Sequence, residues 1–170
     1  MMSKIPKGLK IIGCRGKVES VDRFIQKARD FISNKDILLQ FLNADKVLGK
    51  EHILSAVEHA NRSFERKENT SSSKAMEILI YAAGEPQINT ALAKIGLKDG
   101  CESMAIVVDD DMDINGLLVH LELERDDGVL EYKEFKLKEF GIGEREISAV
   151  EKDKIKELVL EYVAMVDVRK

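Results

Sequence analysis

Residues 75–84 read AMEILIYAAG and are the most informative segment for the fold. It is nearly all apolar and consists largely of helix-forming residues, so it predicts a buried helix that ends at Gly84. Pro86 suits the first turn of a second helix, which Gly96 ends. The apolar stripe of this second helix comprises Ile88, Ala91, Leu92 and Ile95. The two helices, joined at residues 83–86, predict a helical hairpin.

Outward from this hairpin, the chain alternates between strand-like and helix-like segments. Short apolar runs predict strands at residues 9–14, 37–42, 103–108 and 147–150. Amphipathic spacing predicts helices after Ser20, over residues 50–67 and after Asp153. Three further segments fit both a helix and a strand, namely residues 114–124, 129–132 and 135–140. The pattern predicts a single α/β domain of the α+β type over residues 1–170, with a small mixed, mostly antiparallel sheet surrounded by several helices.

The composition is that of a globular protein with an aliphatic core. Of 170 residues, 44% are apolar and 34% are charged, which provides both a core and a solvated surface. The formal net charge is −4, so the surface as a whole is not basic and nucleic acid has to bind at a local patch. The apolar runs are too short to span a bilayer. We therefore expect a soluble, cytoplasmic protein that does not bind membranes.

The two cysteines, Cys14 and Cys101, are far apart and form no C-x-x-C motif. A disulfide between them is one alternative, but two reduced, largely buried thiols suit a cytosolic protein better. A small enzyme with Cys14 as nucleophile is the weakest of three functional hypotheses, because no base is evident for it. No H-E-x-x-H, G-x-S-x-G or P-loop motif occurs. We expect no catalytic residues and no cofactor.

One acidic segment matches the twelve-residue calcium loop of EF-hands. Asp111, Asp113, Asn115 and Glu122 occupy ligand positions, and Gly116 permits the turn. In an EF-hand a helix precedes this loop, whereas here a strand-like run precedes it and no second loop pairs with it. The competing interpretation is an acidic turn whose aspartates cap the following helix. We expect no metal site, and a calcium-binding protein is the alternative function.

The segment between residues 59 and 74 has a local excess of positive charge. Its basic residues are Arg62, Arg66, Lys67 and Lys74, against the acidic Glu65 and Glu68. Asparagine, threonine and three serines fill residues 69–73, directly before a predicted helix start. A helix start flanked by Arg and Lys is suited to bind a phosphate. The competing interpretation is an exposed helix end followed by a capped loop.

Small residues at the hairpin are a second indication of a binding surface. Ala82, Ala83 and Gly84 allow a close approach to the backbone, and Gln87 and Ile88 are expected beside them. A base or a partner helix fits such a surface. Tight packing between helices of this chain explains the same residues.

Three consecutive segments together resemble a known family. They read GKEHILSAVEHA at residues 49–60, MEILIYAAGEPQI at 76–88 and ALAKIGL at 91–97, with the serine-rich segment between the first two. In this order they resemble the kinase-regulating small subunit of the KEOPS complex, the TPRKB type, in an archaeal form. The resemblance extends over nearly the whole chain and is a family-wide pattern rather than one short motif.

The resemblance implies a small mixed sheet wrapped by helices and a subunit without catalytic activity. Such subunits bind the N-terminal lobe of a small atypical kinase or ATPase of the PRPK type. That kinase in turn holds the transferase that makes threonylcarbamoyladenosine in tRNA, and archaeal members also bind the 3′ CCA end of tRNA. The implied partners are therefore the PRPK-type kinase, tRNA and, indirectly, the threonylcarbamoyl-transferase subunit.

The same resemblance assigns RNA binding to the serine-rich segment and the hairpin. The residues carried over are Arg62, Ser71, Ser72, Lys74, Gln87 and Ile88. Pro86 departs from the family, which often has Arg there, and this puts one cationic contact in doubt. Because aromatic residues are scarce, base stacking has to rely on Ile88 or on arginine planes.

Kinase docking requires an exposed apolar patch with a polar rim, commonly built on a helix. The predicted docking residues are Leu92, Ile95 and Leu97, near Ile88. Core packing of the second hairpin helix explains the same stripe equally well.

Overall fold

A four-stranded sheet forms the centre of the computed structural model, which describes residues 8–33 and 36–170. The strands are β1 (Leu9–Arg15), β2 (Leu39–Asn43), β3 (Ser103–Asp109) and β4 (Glu124–Arg125). They lie in the order β2-β3-β1-β4, and the three pairings are antiparallel. The predictions of the first three strands and of the α+β class are confirmed. The predicted domain, residues 1–170, also includes residues outside the described ranges.

Within the described ranges, eight α-helices surround this sheet. They are α1 (Val21–Phe31), α2 (Lys50–Glu65), α3 (Lys74–Ala83), α4 (Ile88–Ile95), α5 (Ile114–His120), α6 (Glu134–Phe140), α7 (Glu144–Ser148) and α8 (Ile155–Arg169). Short 3-10 turns lie at Ala44–Lys46, Asp127–Leu130 and Lys152–Lys154. None of the helices in the described part of the chain is both long and apolar enough to cross a membrane.

Local sequence signals explain where α1 and α3 begin and where α3 ends. The hydroxyl of Ser20 accepts the backbone N–H of Arg23 at the start of α1, as an N-cap does. The hydroxyl of Ser73 accepts the N–H of Met76 at the start of α3 in the same way. Gly84 ends α3 with φ +68°, a left-handed conformation that glycine adopts readily.

Alternating side chains along β3 build an apolar layer on each face of the sheet. Ile106 and Val108 pack on the face covered by α1 and α5. Ala105 and Val107 pack on the opposite face, against α2, α3 and α4. A third apolar cluster joins α6 to α8 beside these layers. The hairpin of α3 and α4 therefore lies on one face of the sheet and α1 lies on the other.

Three sequence predictions about elements differ from the fold, and the segments that fitted both a helix and a strand are resolved by it. The strand predicted at residues 147–150 is wrong, because Ile147 belongs to α7 and packs against the cluster of α6 and α8. A run of four residues is too short for periodicity to distinguish a strand from a helical turn. Asp153 lies inside a 3-10 turn, and Lys154 is the N-cap of α8. Pro86 precedes α4 rather than lying in its first turn, and Gln87 is the N-cap. The ambiguous segments are mainly helical.

Candidate functional site

The linker, residues 66–73 between α2 and α3, is folded around the buried carboxylate of Glu77. Both carboxylate oxygens of Glu77 lie 3.0 Å from the backbone nitrogen of Thr70, and one lies 3.2 Å from that of Ser71. The hydroxyl of Ser63 donates a further hydrogen bond at 3.1 Å. Such hydrogen bonds offset much of the cost of burying a carboxylate. The conformation of the linker is therefore set by a side chain of α3.

Lys170, directly after α8, supplies the positive charge that faces Glu77. Its Nζ lies 3.2 Å from the Glu77 carboxylate, 2.7 Å from the Ser63 hydroxyl and 3.2 Å from the backbone carbonyl of Glu68. Its side chain is 13% exposed, so this ion pair is largely shielded from water. α8 is thus tied to the linker through a charged network.

The sequence-predicted RNA residues of the linker region lie together at this end of α3. Lys74 is the first residue of α3, and its Nζ lies 5.7 Å from the centre of the Phe64 ring. Arg62 lies in the last turn of α2. Both cations are exposed, and neither forms a salt bridge within the ranges described. Ser72 is exposed, whereas the Ser71 hydroxyl accepts the N–H of Ser73. The arrangement presents two cations to solvent beside a fixed loop.

The hairpin end of α3 is closed by α8 rather than open to a ligand. Ala82, Ala83 and Gly84 are buried. A side chain added at Gly84 would come within 3.0 Å of Cβ of Tyr162 on α8 and 3.1 Å of its backbone oxygen. The interpretation of these small residues as a surface for a base or partner helix is wrong, and tight packing between helices of this chain explains them.

Gln87 and Ile88 are separated from the linker residues by the length of α3. Gln87 is exposed, and Ile88 is half-buried against the core on the α2 and α3 side. With about 1.5 Å of rise per residue, Lys74 and Ala83 lie about 14 Å apart along the helix axis. The structure therefore divides the six predicted RNA residues into a linker group of four and a hairpin group of two.

The three predicted docking residues differ sharply in exposure. Leu92 on α4 is 39% exposed, and Leu97 is half-buried. Ile95 is completely buried and packs in the core with α2 and α3. Ile95 offers no surface to a partner in this fold, because its side of α4 faces the sheet. Leu92 and Leu97 remain as accessible apolar residues.

Leu92 and Leu97 border a groove that could not be predicted from the sequence. The β2 groove, with a volume of about 940 Å³, lies between α1 on one side and the start of α3 and end of α4 on the other, with β2 at its floor. Its walls include Ile25, Met76, Leu79, Leu92 and Leu97. Lys74 lies at its edge, so the groove and the linker are neighbours.

Comparisons with known proteins extend over most of the chain, including the linker and the β2 groove. The sequence profile of the family described as kinase binding protein CGI-121 matches residues 17–167. The chain belongs to this family. The regulatory protein Cgi121 of Methanocaldococcus jannaschii is 34% identical over 148 residues, which cover 82% of this chain and 90% of that protein. The family resemblance predicted from the sequence is thereby confirmed. Lys170 lies just beyond the matched range.

Within this member of the CGI-121 family, His52 on α2 is a polar residue that is almost completely buried. Its Nε2 donates to the carbonyl of Ala82 at 2.7 Å, and its Nδ1 accepts the N–H of Leu48 at 3.1 Å. Burial lowers the pKa of His52 to about 4, so the ring is neutral at pH 7. It ties α2 to the hairpin end of α3. The apolar neighbours on α2 were the available signal for its burial.

Lys136 on α6 is a second buried group that the sequence did not reveal. It is 2% exposed and donates to the carbonyls of Val129 and Glu131 at 2.6 and 2.8 Å. Burial lowers its pKa to about 8. Because both partners are backbone carbonyls of a preceding turn, the lysine holds that turn to α6.

The acidic segment that resembles a calcium loop contains a helix start. Asp113 is the N-cap of α5, and its carboxylate accepts the N–H of Gly116 at 3.0 Å. α5 runs through Ile114–His120, where an EF-hand requires an open loop. No cluster of metal-ligating side chains occurs among residues 8–33 and 36–170. The calcium hypothesis gains no support from this geometry.

Cys14 is not suited to act as a nucleophile. It is completely buried on the sheet, and burial raises the pKa of its thiol to about 12. The reactive form of cysteine is the thiolate, which is disfavoured in these surroundings.

Proposed function

We propose that this chain is a non-catalytic subunit that binds and regulates a PRPK-type kinase or ATPase in a cytoplasmic KEOPS complex. The observation that carries the proposal is membership of the CGI-121 family, described as kinase binding, over residues 17–167. Leu92 and Leu97 at the β2 groove are the apolar side chains that we assign to kinase docking, because they are accessible and adjacent.

Isothermal titration calorimetry of this chain against the PRPK-type kinase of the same organism tests the docking. We expect Leu92→Asp to weaken binding about ten-fold or more, because a carboxylate then enters a desolvated apolar contact. Val119→Asp is the matched control, since Val119 is 78% exposed on α5 but lies away from the groove. Equal binding by both variants would remove Leu92 from the interface, and no binding by the native chain would refute kinase regulation.

We further propose that the chain recruits tRNA through its 3′ CCA end for threonylcarbamoyladenosine modification by the associated transferase. Arg62 and Lys74 support the proposal, because they are exposed cations without a carboxylate partner in the described chain. Phosphates are bound by such cations, and exposed hydroxyls such as that of Ser72 add hydrogen bonds. The fixed linker reduces the entropy lost when RNA binds.

Gel-shift titration with intact tRNA and with tRNA lacking its CCA end tests this proposal. We expect the trimmed tRNA to bind about ten-fold more weakly, because it lacks the single-stranded nucleotides that reach the linker. Affinity for intact tRNA is also expected to fall with salt, with a log–log slope of about −0.7 for each phosphate neutralised. Equal affinity for both tRNAs contradicts recognition of the 3′ end.

A further inference from the structure

The strand β2 lies at the edge of the sheet with one side open toward the β2 groove. The N–H of Asp109 donates to the carbonyl of Leu38 at 3.1 Å, so Leu38 faces β3. Alternate residues of an antiparallel strand point their backbone groups to opposite sides, and Gln40 therefore faces β3 as well. Leu39 and Phe41 direct their N–H and C=O groups away from the sheet and into the groove.

The side chain of Gln40 occupies part of this open edge. Its Oε1 accepts the N–H of Phe41 at 3.0 Å, and its Nε2 donates to the carbonyl of Ala75 on α3 at 2.8 Å. A glutamine amide has the same donor and acceptor groups as a peptide unit. It therefore takes the position of a neighbouring strand's peptide at Phe41, and leaves the backbone of Leu39 facing the groove.

The walls of the groove are apolar on both faces of the sheet. Ile25 on α1 and Ile32 directly after it lie on one wall, while the hairpin helices contribute Met76 and Leu92. These four side chains are partly or fully exposed. An extended segment in the groove would direct successive side chains to the two walls, because its side chains alternate in direction.

The groove has two exposed cations that can pair with an acidic side chain of an occupant. Arg29 on α1 and Lys74 on α3 are exposed on opposite walls, and neither has a salt-bridge partner among the described residues. Of the two carboxylates at the groove, that of Asp109 accepts the N–H of Leu38 at 2.6 Å, and Asp36 also has an interaction partner. Both carboxylates keep their negative charge, and Arg29 and Lys74 are the groups that can pair with an acidic side chain of an occupant.

We propose that the β2 groove binds an extended peptide segment of a partner protein, which pairs with the outward N–H and C=O groups of Leu39 as a fifth strand, next to the Gln40 amide that already bonds the N–H of Phe41. The segment has alternating apolar side chains and carries an acidic residue beside Arg29. A helix is a poorer occupant, because its backbone groups are already paired and leave those of Leu39 unused. The proposal extends the kinase docking proposed at Leu92 and rests on it for the identity of the partner, whereas its test needs no kinase.

Selection from a phage-displayed library of random peptides of about twelve residues against the immobilised full chain tests the proposal. We expect selected peptides to alternate apolar residues and to carry Asp or Glu. A synthetic peptide of the consensus sequence is then titrated into the native chain by fluorescence anisotropy, and its position is mapped from amide chemical-shift changes. Changes centred on residues 39–41 support the proposal, and changes elsewhere overturn it.

Leu39→Pro is the decisive variant, because it removes an N–H that faces the groove without removing one that bonds to β3. We expect peptide affinity to fall about ten-fold, since main-chain hydrogen bonds provide much of the affinity in strand addition. Leu39→Val is the matched control, which keeps the N–H and is expected to bind within about two-fold of the native chain. A peptide N-methylated at alternate residues gives the same test on the native chain, should Leu39→Pro fail to fold.

Arg29→Glu separates this site from the proposed RNA site, because Lys74 borders both. We expect Arg29→Glu to weaken peptide binding about ten-fold and to leave tRNA binding unchanged.

Several outcomes would overturn the proposal. Enrichment of peptides with apolar residues at i and i+3, as in a helix, overturns strand addition, and so does a library without enrichment. Self-association of the native chain that Leu39→Pro abolishes would assign the edge to a second copy and overturn the peptide proposal. Peptide binding without kinase binding refutes the proposed function alone.

Discussion

The two ends of α3 are held in place by different kinds of interaction. At the linker end, the buried carboxylate of Glu77 bonds to backbone N–H groups, to Ser63 and to the ammonium of Lys170. At the hairpin end, Gly84 packs directly against Tyr162, and His52 bonds to the carbonyl of Ala82. α8 contacts both ends, through charge at the first and through close packing at the second.

This difference explains why one end is the better binding surface. Glu77 and Lys170 satisfy each other inside the protein, so the linker keeps its shape while Arg62 and Lys74 remain exposed. At the hairpin end, Lys94 lies 3.7 Å from Glu85 and 4.1 Å from the centre of the Phe140 ring, so this cation is already engaged. Both ends of α3 have basic residues nearby. The ends differ because only those at the linker end are exposed and unpaired.

The largest expected effect tests the buried charge at the linker end. The substitution Glu77→Ala is expected to lower the free energy of unfolding by about 3 kcal/mol, because Lys170 and the linker N–H groups then lose their partner. Glu85→Ala is the matched control at the hairpin end. The Glu85 side chain is 23% exposed and its ion pairs measure 3.7 and 3.8 Å, so a loss below about 1 kcal/mol is expected. Urea unfolding measures both, and equal losses would contradict the contrast.

The second prediction concerns acid stability and His52 at the hairpin end. The pKa of His52 is about 4 in the folded chain against 6.5 for an ordinary histidine. The His52 ring therefore binds a proton more readily in the unfolded chain than in the folded one. This contribution to stability is complete above pH 6.5 and is lost as the pH falls toward 4, by about 3 kcal/mol. Urea unfolding at several pH values is expected to show a shallower decline for His52→Gln than for the native chain. Parallel pH curves would show that the ring is not buried as described.

The third prediction tests the close contact of α3 with α8. Gly84→Ala is expected to lower the free energy of unfolding by about 2 kcal/mol, because the added methyl group meets Tyr162 and φ is positive. Gly141→Ala serves as the control, since Gly141 also ends a helix with positive φ but has no atom within 4 Å of the added carbon. A loss of about 1 kcal/mol is expected there. Thermal unfolding that gives the same loss for both variants would exclude a steric role of Tyr162.

The smallest expected effect compares the two groups of predicted RNA residues. Lys74→Glu is expected to weaken tRNA binding about ten-fold and to reduce the salt dependence, because it removes a phosphate contact. Gln87→Ala at the hairpin end is expected to change affinity by less than about two-fold and to keep the salt slope. Filter binding over a range of salt concentrations measures both. A larger effect at Gln87 than at Lys74 would move the proposed RNA surface to the hairpin.

Local signals allowed much of the fold around α3 to be predicted. Ser73 and Gly84 set its limits through backbone geometry, which neighbouring residues determine. The role of Glu77 is invisible to such signals, because its partners Ser63 and Lys170 lie 14 and 93 positions away. His52 likewise bonds to a residue 30 positions away. The position of the basic linker could be predicted from the sequence, but the network that fixes its shape could not.

The helices and strands with clear periodicity or caps, the family and the place of the excess positive charge could be derived from the amino-acid sequence alone. These follow from neighbouring residues and from resemblance along the chain. The burial of Ile95 and the exposure of Leu92 became visible only in the folded chain, because both residues belong to one apolar stripe. Only the tertiary structure also placed α1 and α4 on either side of the β2 edge. Such a groove depends on how elements distant in the chain pack together, which local periodicity does not record.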